Sequence, residues 1–306
     1  MKAVFINQFG GPEVLQYGDM PDPVAGPGQV VIDVVAASIN GADWRVRAGL
    51  YSEGKFPLIL GRDFSGTVAA LGAGVEDLKV SDAVFGVLEA GREGAYAEKL
   101  AITAAIVAKK PATLSHIDAA ALALTGLTAL ISVETTLKLQ RGETILFQGG
   151  AGGVASIAIQ IAKHIGARVI TTTSAANIDY VRGLGADQVI DYRAQDFTQV
   201  IGGCDAAFDT VGGDVAQKCF AVLRPGGRAA FIASGAQAPQ SDRADVTSLR
   251  PAVGRARAPL ERIAALVAAG AVRPPEIKLY RLSQAAEAHR ISEGRHFRGK
   301  LVFQVR

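Results

Sequence analysis

The chain has 306 residues, 49% hydrophobic and 20% charged, with a formal net charge of +3. This is the composition of a soluble globular protein with room for two cores; it excludes a disordered chain, and so small a charge gives no argument for a polyanionic partner. Two cysteines supply neither a disulfide framework nor a metal cluster, so a reducing cytoplasm is the default expectation.

Residues 1–9 have a strand's composition and no cleavage-site pattern, so no signal peptide is expected. Proline and glycine punctuate 21–28, and 30–35, 64–71 and 83–87 read as strands, with Gly72 and Gly74 forming a turn. After Pro111 the texture changes: Ser115 is placed to cap a helix, with Asp118 in the capping-box position. The longest apolar run, 119–133, falls short of the ~20 residues a bilayer requires and is broken by Gly126 and three hydroxyls. A core helix with a kink is expected there, and no membrane span. The chain shows no internal repeat.

From Glu143 onward strands and helices alternate. Strands are expected at 144–148, 168–173, 188–191, 205–209 and 228–233, with helices such as 156–165 and 214–223 between them and Pro225-Gly226-Gly227 as a turn. This pattern argues a doubly wound parallel sheet. The first strand runs into the spacing G-x-G-x-x-A at Gly150, Gly152 and Ala155, with Gly153 and Val154 completing the loop. The first small residue allows a sharp reversal, the second close approach to a pyrophosphate, the third close helix–strand packing. The helix N-terminus then favours an anion by ~0.3–1 kcal/mol. A plain structural βα turn is the competing reading, and the next strand at 168–173, placed as a βαβ unit requires, favours dinucleotide binding.

An amphipathic helix at 261–269 ends at Gly270, and strand texture returns at 277–280 and 299–303. We read that tail as completing the first domain. The expected α/β architecture is thus a discontinuous β-rich domain, 1–121 with 266–306, and a Rossmann domain, 122–265. The substrate is expected to meet the cofactor in the cleft between them. Segment 235–259, rich in Ala, Gln, Ser, Arg and Pro, carries no functional assignment.

A series of short stretches now forms a pattern: Ala36-Ala37-Ser38-Ile39-Asn40-Gly41-Ala42-Asp43-Trp44-Arg45, Gly49-Leu50-Tyr51, Gly61-Arg62-Asp63-Phe64-Ser65-Gly66, Gly94-Ala95-Tyr96-Ala97-Glu98 and Leu124-Thr125-Gly126-Leu127-Thr128-Ala129. It continues with the glycine loop, Leu184-Gly185-Ala186-Asp187, Phe208-Asp209-Thr210-Val211-Gly212-Gly213 and Arg298-Gly299-Lys300. In order and spacing the chain resembles, over essentially its whole length, the zinc-independent, zeta-crystallin-like quinone oxidoreductases of the medium-chain dehydrogenase/reductase superfamily. The resemblance implies a GroES-like β domain plus a Rossmann domain, NADPH as hydride donor, often a homodimer, and a quinone or activated alkene as acceptor. Zinc-dependent relatives carry cysteine near 38 and histidine near 62, where this chain has Ser38 and Arg62. The four-cysteine structural lobe is absent, and His116, His164, His289 and His296 are scattered. A metal-free mechanism is therefore expected, and alcohol oxidation, which needs a Lewis acid, is not.

NAD-specific folds place a carboxylate about 20 residues past the glycine loop. Here the second strand ends Thr171-Thr172-Thr173-Ser174, with no acid to repel a 2′-phosphate, so NADPH is expected over NADH. By resemblance Ser174 and Tyr192 contact that phosphate. Ala176 stands where close relatives often carry Lys or Arg; Arg193 is either a substitute or a solvated charge.

Reduction leaves negative charge on the acceptor oxygen, and one well-placed donor can be worth ~2.7–4 kcal/mol. The resemblance makes Tyr51 the candidate donor or proton source, and puts Asn40 beside nicotinamide and substrate. Asp43 orients the loop; Arg62 and Lys55 are cationic candidates. Thr125 is expected at the nicotinamide edge, with Val211, Phe231 and Ser234 along the cofactor groove. Two other readings stay open. One is an alkenal/enone or enoyl-thioester reductase. The other is a protein that holds NADPH without turnover or binds RNA through Arg243, Arg250, Arg255, Arg257 and Arg262. No aromatic residues are interleaved with those arginines to stack bases, so nucleic acid is not the expected partner.

Overall fold

An eleven-residue strand, Gln29–Ile39, organises the first of two units. In this computed structural model, which describes residues 1–51 and 54–306, that unit comprises Met1–Leu124, Gly254–Ala268 and Pro274–Arg306. The second comprises Thr125–Val253 and Ala269–Arg273. Helix Arg257–Ala268 therefore falls with the first unit, whereas the sequence reading had put most of it in the second.

In the first unit a sheet runs in the order Ile277–Arg281, Lys300–Gln304, Gln29–Ile39, Asp63–Leu71, Ala83–Val87, Ala108–Lys109, with Lys99–Thr103 also pairing Gln29–Ile39. The tail strands thus join the same sheet as the first 110 residues. A smaller sheet joins Gln16–Asp19, Lys2–Ile6 and Leu58–Ile59. Valine, isoleucine and leucine side chains from these strands make one core with Phe64, Tyr96 and Phe303, none of them exposed. Strand Gln29–Ile39 outruns its expected end by four residues. Ala36, Ala37 and Ser38 are weak strand formers, and antiparallel pairing on both sides holds them extended. The expected cap is present: Asp118 N donates to Ser115 Oγ at 3.0 Å.

That cap starts helix His116–Leu130, which continues as a π-helical stretch, Ile131–Thr136, so the departure from α geometry lies there. Together, 116–136 is long and apolar enough to cross a membrane by length and composition, longer than the run read from sequence; 72% of its apolar window is buried inside the protein.

The second unit is a six-stranded, wholly parallel sheet ordered Gln188–Asp191, Arg168–Thr173, Thr144–Gln148, Cys204–Asp209, Leu223–Phe231, Thr247–Leu249. Numbered within the unit this is 3-2-1-4-5-6, the dinucleotide-fold order. Near-continuous burial of Thr144–Gln148 and Arg168–Thr173 follows from helices covering both faces of a parallel sheet. Two differences stand out. The fifth strand begins at Leu223 and contains the Pro225-Gly226-Gly227 turn as an irregularity in its register. The sixth strand, Thr247–Leu249, lies inside the segment to which no role was given.

The arginines of that segment are fastened to protein groups. Arg243 pairs with Asp245 at 2.6 Å and donates to Phe220 O and Leu223 O. Arg250 reaches Phe231 O, Arg255 reaches Leu88 O, and Arg257 binds Asp77 and Ala104 O. These contacts replace the solvated connection expected from composition, and they favour a structural role over base recognition.

Candidate active site

In the second unit, strand Thr144–Gln148 turns into helix Gly153–Ile165 through the glycine loop at the sheet's carboxyl end. The tasks are shared differently from the sequence reading. Gly149, with φ +74°, makes the reversal assigned to Gly150. Gly150 instead lies against the second strand: its N–H donates to Thr172 O at 2.9 Å, and a Cβ there would stand 2.2 Å from Thr171 Oγ1. Gly152 caps the helix without any side-chain cap, which leaves the first-turn N–H groups at Gly153 and Val154 to be met from outside the helix. Ala155 is fully buried, as close helix–strand packing requires.

Ser174 and Tyr192 sit side by side. Thr173 is in register with Asp191, and Tyr192 N donates to Thr173 O at 3.1 Å. Tyr192 is 50% exposed with the Arg193 guanidinium 5.7 Å from its ring centre. The nearest carboxylate in sequence, Asp191, accepts from Arg193 N. Val211 is exposed, Thr125 is buried, and Ser234 Oγ is buried with no hydrogen-bond partner among the described residues. Phe231 departs from expectation. Its side chain is 0% exposed and packs on Phe220 at 5.3 Å, so the ring belongs to the core rather than to a groove. Asp209 was not singled out from sequence. Fully buried, it accepts from Val211 N and Gly212 N and fixes the turn after the fourth strand, and burial raises its carboxyl above the usual range.

In the first unit three neighbouring strand ends build a buried polar cluster around Asn40. Ser38 is in register with Asp63, and Leu301 with Ile39, so Lys300 arrives beside Asn40. Asp63 accepts from Ser38 Oγ and from Asn40 Nδ2, both at 2.8 Å. Lys300 Nζ donates to Asn40 Oδ1 at 2.7 Å and to Ile39 O at 2.8 Å. Both ends of the Asn40 amide are thereby committed, so its plane is fixed. Burial pulls the Lys300 ammonium below its ordinary value, opposed by Asp63 and Asp43.

Asp43 is tied to its loop by hydrogen bonds. Its Oδ2 accepts from Asn40 N at 2.8 Å and from Tyr96 OH at 2.6 Å. Arg62 is not a free cation: its Nε binds Glu93 at 2.7 Å and lies 3.8 Å from Asp43. One guanidinium thus serves two buried carboxylates. Burial pushes Glu93 up to about 8, reinforced by Asp43 and opposed by Arg62. Burial likewise raises Asp43 to about 6, with Arg62 and the Tyr96 hydrogen bond opposing. Both carboxyls are thus held above the ordinary range although Arg62 stands beside them. Arg62's own guanidinium is lowered by burial and then raised, on balance, by the two acids.

Tyr51 is 51% exposed, at the bend after helix Gly41–Arg47, with Arg45 5.7 Å from its ring centre. Lys55 is exposed. Among the described residues no group of three or more His, Cys, Asp or Glu could hold a metal ion. The sequence reading missed Asp63, Lys300, Tyr96 and Glu93 as members of the cluster; each stood only as a letter or neighbour of a motif.

An alcohol dehydrogenase GroES-like domain model matches residues 26–112, and a zinc-binding dehydrogenase model matches 184–303. The chain is 32% identical to an NADPH-dependent alkenal/one oxidoreductase of Arabidopsis thaliana, over 99% of this chain and 79% of that protein. Among solved structures, the quinone oxidoreductase of Coxiella burnetii is 34% identical with a TM-score of 0.93, covering 100% of this chain and 99% of that one. The Escherichia coli quinone oxidoreductase complexed with NADPH is 28% identical with a TM-score of 0.91, covering 100% of both chains.

Proposed function

The chain belongs to the medium-chain dehydrogenase/reductase superfamily, among quinone oxidoreductase-like relatives, and on that premise we propose that it is an NADPH-dependent reductase of quinones or activated alkenes working without a metal. The observation that carries the reading is the glycine loop at the carboxyl end of the central parallel strand. It combines a backbone that lies against the second strand only because Gly150 has no Cβ with a helix start that has no side-chain cap. NADPH, when bound, supplies the hydride. Gly152, Gly153 and Val154 bind its pyrophosphate, Gly150 lets the loop lie against the second strand, and Ser174 with Tyr192 receive the 2′-phosphate where that strand ends without an acid. Thr125, Val211 and Ser234 complete its contacts.

The acceptor gains one hydride and one proton: at the β- and α-carbons of an enone, or in becoming hydroquinone from quinone. Tyr51, its ring half in solvent, donates to the acceptor oxygen in this reading. Asn40 contributes a fixed amide wall rather than a free donor, because Lys300 and Asp63 hold both its ends. The fit to zinc is poor. Ser38 Oγ is bonded to Asp63 and the Arg62 guanidinium to Glu93, and neither a hydroxyl so engaged nor a guanidinium is a zinc ligand.

The test is NADPH oxidation with 9,10-phenanthrenequinone and with 2-hexenal, run beside NADH. Turnover of at least one acceptor with a clear preference for NADPH is expected. Silence with both sinks the reductase, and equal kcat/KM for the two nucleotides sinks the cofactor assignment. A homodimer in the cytoplasm belongs to the same reading, and light scattering on purified protein decides the assembly.

A further inference from the structure

Trp44, the single tryptophan of the chain, carries two cations. Arg45 Cζ lies 4.5 Å from its ring centre and Arg295 Cζ 5.7 Å, while Arg45 also faces Tyr51. One guanidinium over an indole is an ordinary cation–π contact. Two like charges on the same ring repel each other, and among the described residues neither has a carboxylate at ion-pair distance. Glu293, two residues from Arg295, is taken by Arg47 at 2.9 Å. Burial lowers the Arg45 guanidinium below its ordinary value, Tyr51 opposes, and the charge of Arg295 adds to the lowering.

Two further observations bear on the same spot. Arg295 ends helix Ala285–Gly294 in the left-handed region at φ 56°, where glycine is the usual residue, although Gly294 stands one position earlier. Strain at a long cationic side chain is kept where a cheaper residue was available. Trp44 Nε1, moreover, is covered and has no hydrogen-bond partner among the described residues. The cluster abuts Asn40's neighbour: a Cβ on Gly41 would lie 3.5 Å from Arg45 Nη1 and 4.0 Å from Trp44 Nε1.

We propose that Arg45 and Arg295, shelved on Trp44, hold an anionic oxygen group of the acceptor: the carboxylate of an oxo-alkenoic acid or a phosphate of a thioester carrier. Planar guanidinium groups suit such oxyanions, which they can bind through paired N–H donors. An anion there relieves the repulsion between the two cations. The inference rests on the reductase reading and narrows its acceptor.

Trp44 provides a readout that needs no turnover. Titration with 4-oxopentanoate, and separately with inorganic phosphate, is expected to change its fluorescence saturably, less so at high salt. The change should be lost in Arg45→Met and in Arg295→Gly, the latter placing the sterically preferred residue at φ 56° so that folding is not at issue. In NADPH oxidation, wild type should prefer (E)-4-oxo-2-pentenoate to its methyl ester, or crotonyl-CoA to the N-acetylcysteamine thioester, by about tenfold in kcat/KM. The first preference identifies a carboxylate, the second a phosphate. Arg295→Gly should lower the charged member of that pair several-fold more than the neutral one. Linear quenching identical in all variants, or equal losses for charged and neutral acceptors, overturns the anion site. Failure to reduce any neutral acceptor would instead strike the reductase reading, and leave the fluorescence titration to decide the site.

Discussion

The glycine loop of the second unit and the Asn40 cluster of the first reach a fixed geometry by opposite routes. The loop works through backbone: it requires missing side chains at consecutive positions, and so writes a contiguous pattern. The cluster works through side chains from strand ends far apart in the chain, each an unremarkable residue where it stands. Sites made of main chain can be read along a sequence, and sites made across antiparallel strands are read only once the register is known.

The comparison sharpens with substitution. Tyr51→Phe should have the largest effect, lowering kcat with an enone by roughly 10²–10⁴-fold if its hydroxyl is the general acid. An unchanged rate would move the chemistry elsewhere. Lys300→Met leaves Asn40 Oδ1 and Ile39 O without their buried donor and should cost about 1–3 kcal/mol in urea unfolding. A loss below ~0.5 kcal/mol would mean that Lys300 does not hold the Asn40 amide.

On the backbone side, Gly150→Ala drives a methyl to 2.2 Å from Thr171 Oγ1 and should cost about 1–3 kcal/mol together with NADPH affinity. Adding Thr171→Ala should recover part of both; strict additivity of the two changes would refute the contact.

The smallest effect concerns pH. Glu93 is protonated more readily folded, at about 8, than at its ordinary 4.5. Between those values the folded protein holds a proton that the unfolded chain has released, so stability is fullest below 4.5 and falls as pH rises toward 8. Glu93→Gln should flatten that slope by on the order of 1 kcal/mol between pH 6 and 8. A wild-type stability that rises across this range contradicts the raised Glu93 carboxyl.

What was legible follows the same division. Strands at 144–148, 168–173 and 188–191 stood out because their apolar runs are bounded by turn residues. Thr247–Leu249 did not, since three residues in an Ala-, Ser- and Arg-rich stretch become a strand only by pairing with Arg228–Ala230. Phe231 was misplaced because a parallel strand buried on both faces shows no alternation to tell core from groove. Asn40 and Tyr51 came through family resemblance, while Lys300 had no local signal tying it to Asn40.

Lys300 and Ile39, joined by a hydrogen bond, are 261 positions apart. Closing so long a loop carries an entropy cost that nearby pairings avoid, and sheets built from such contacts form slowly. The neighbouring parallel strands of the second unit meet over far shorter separations, Thr144 with Arg168 for example. On refolding from denaturant, nucleotide affinity should therefore return before catalysis, with an interval in which the protein binds its reductant and cannot yet use it.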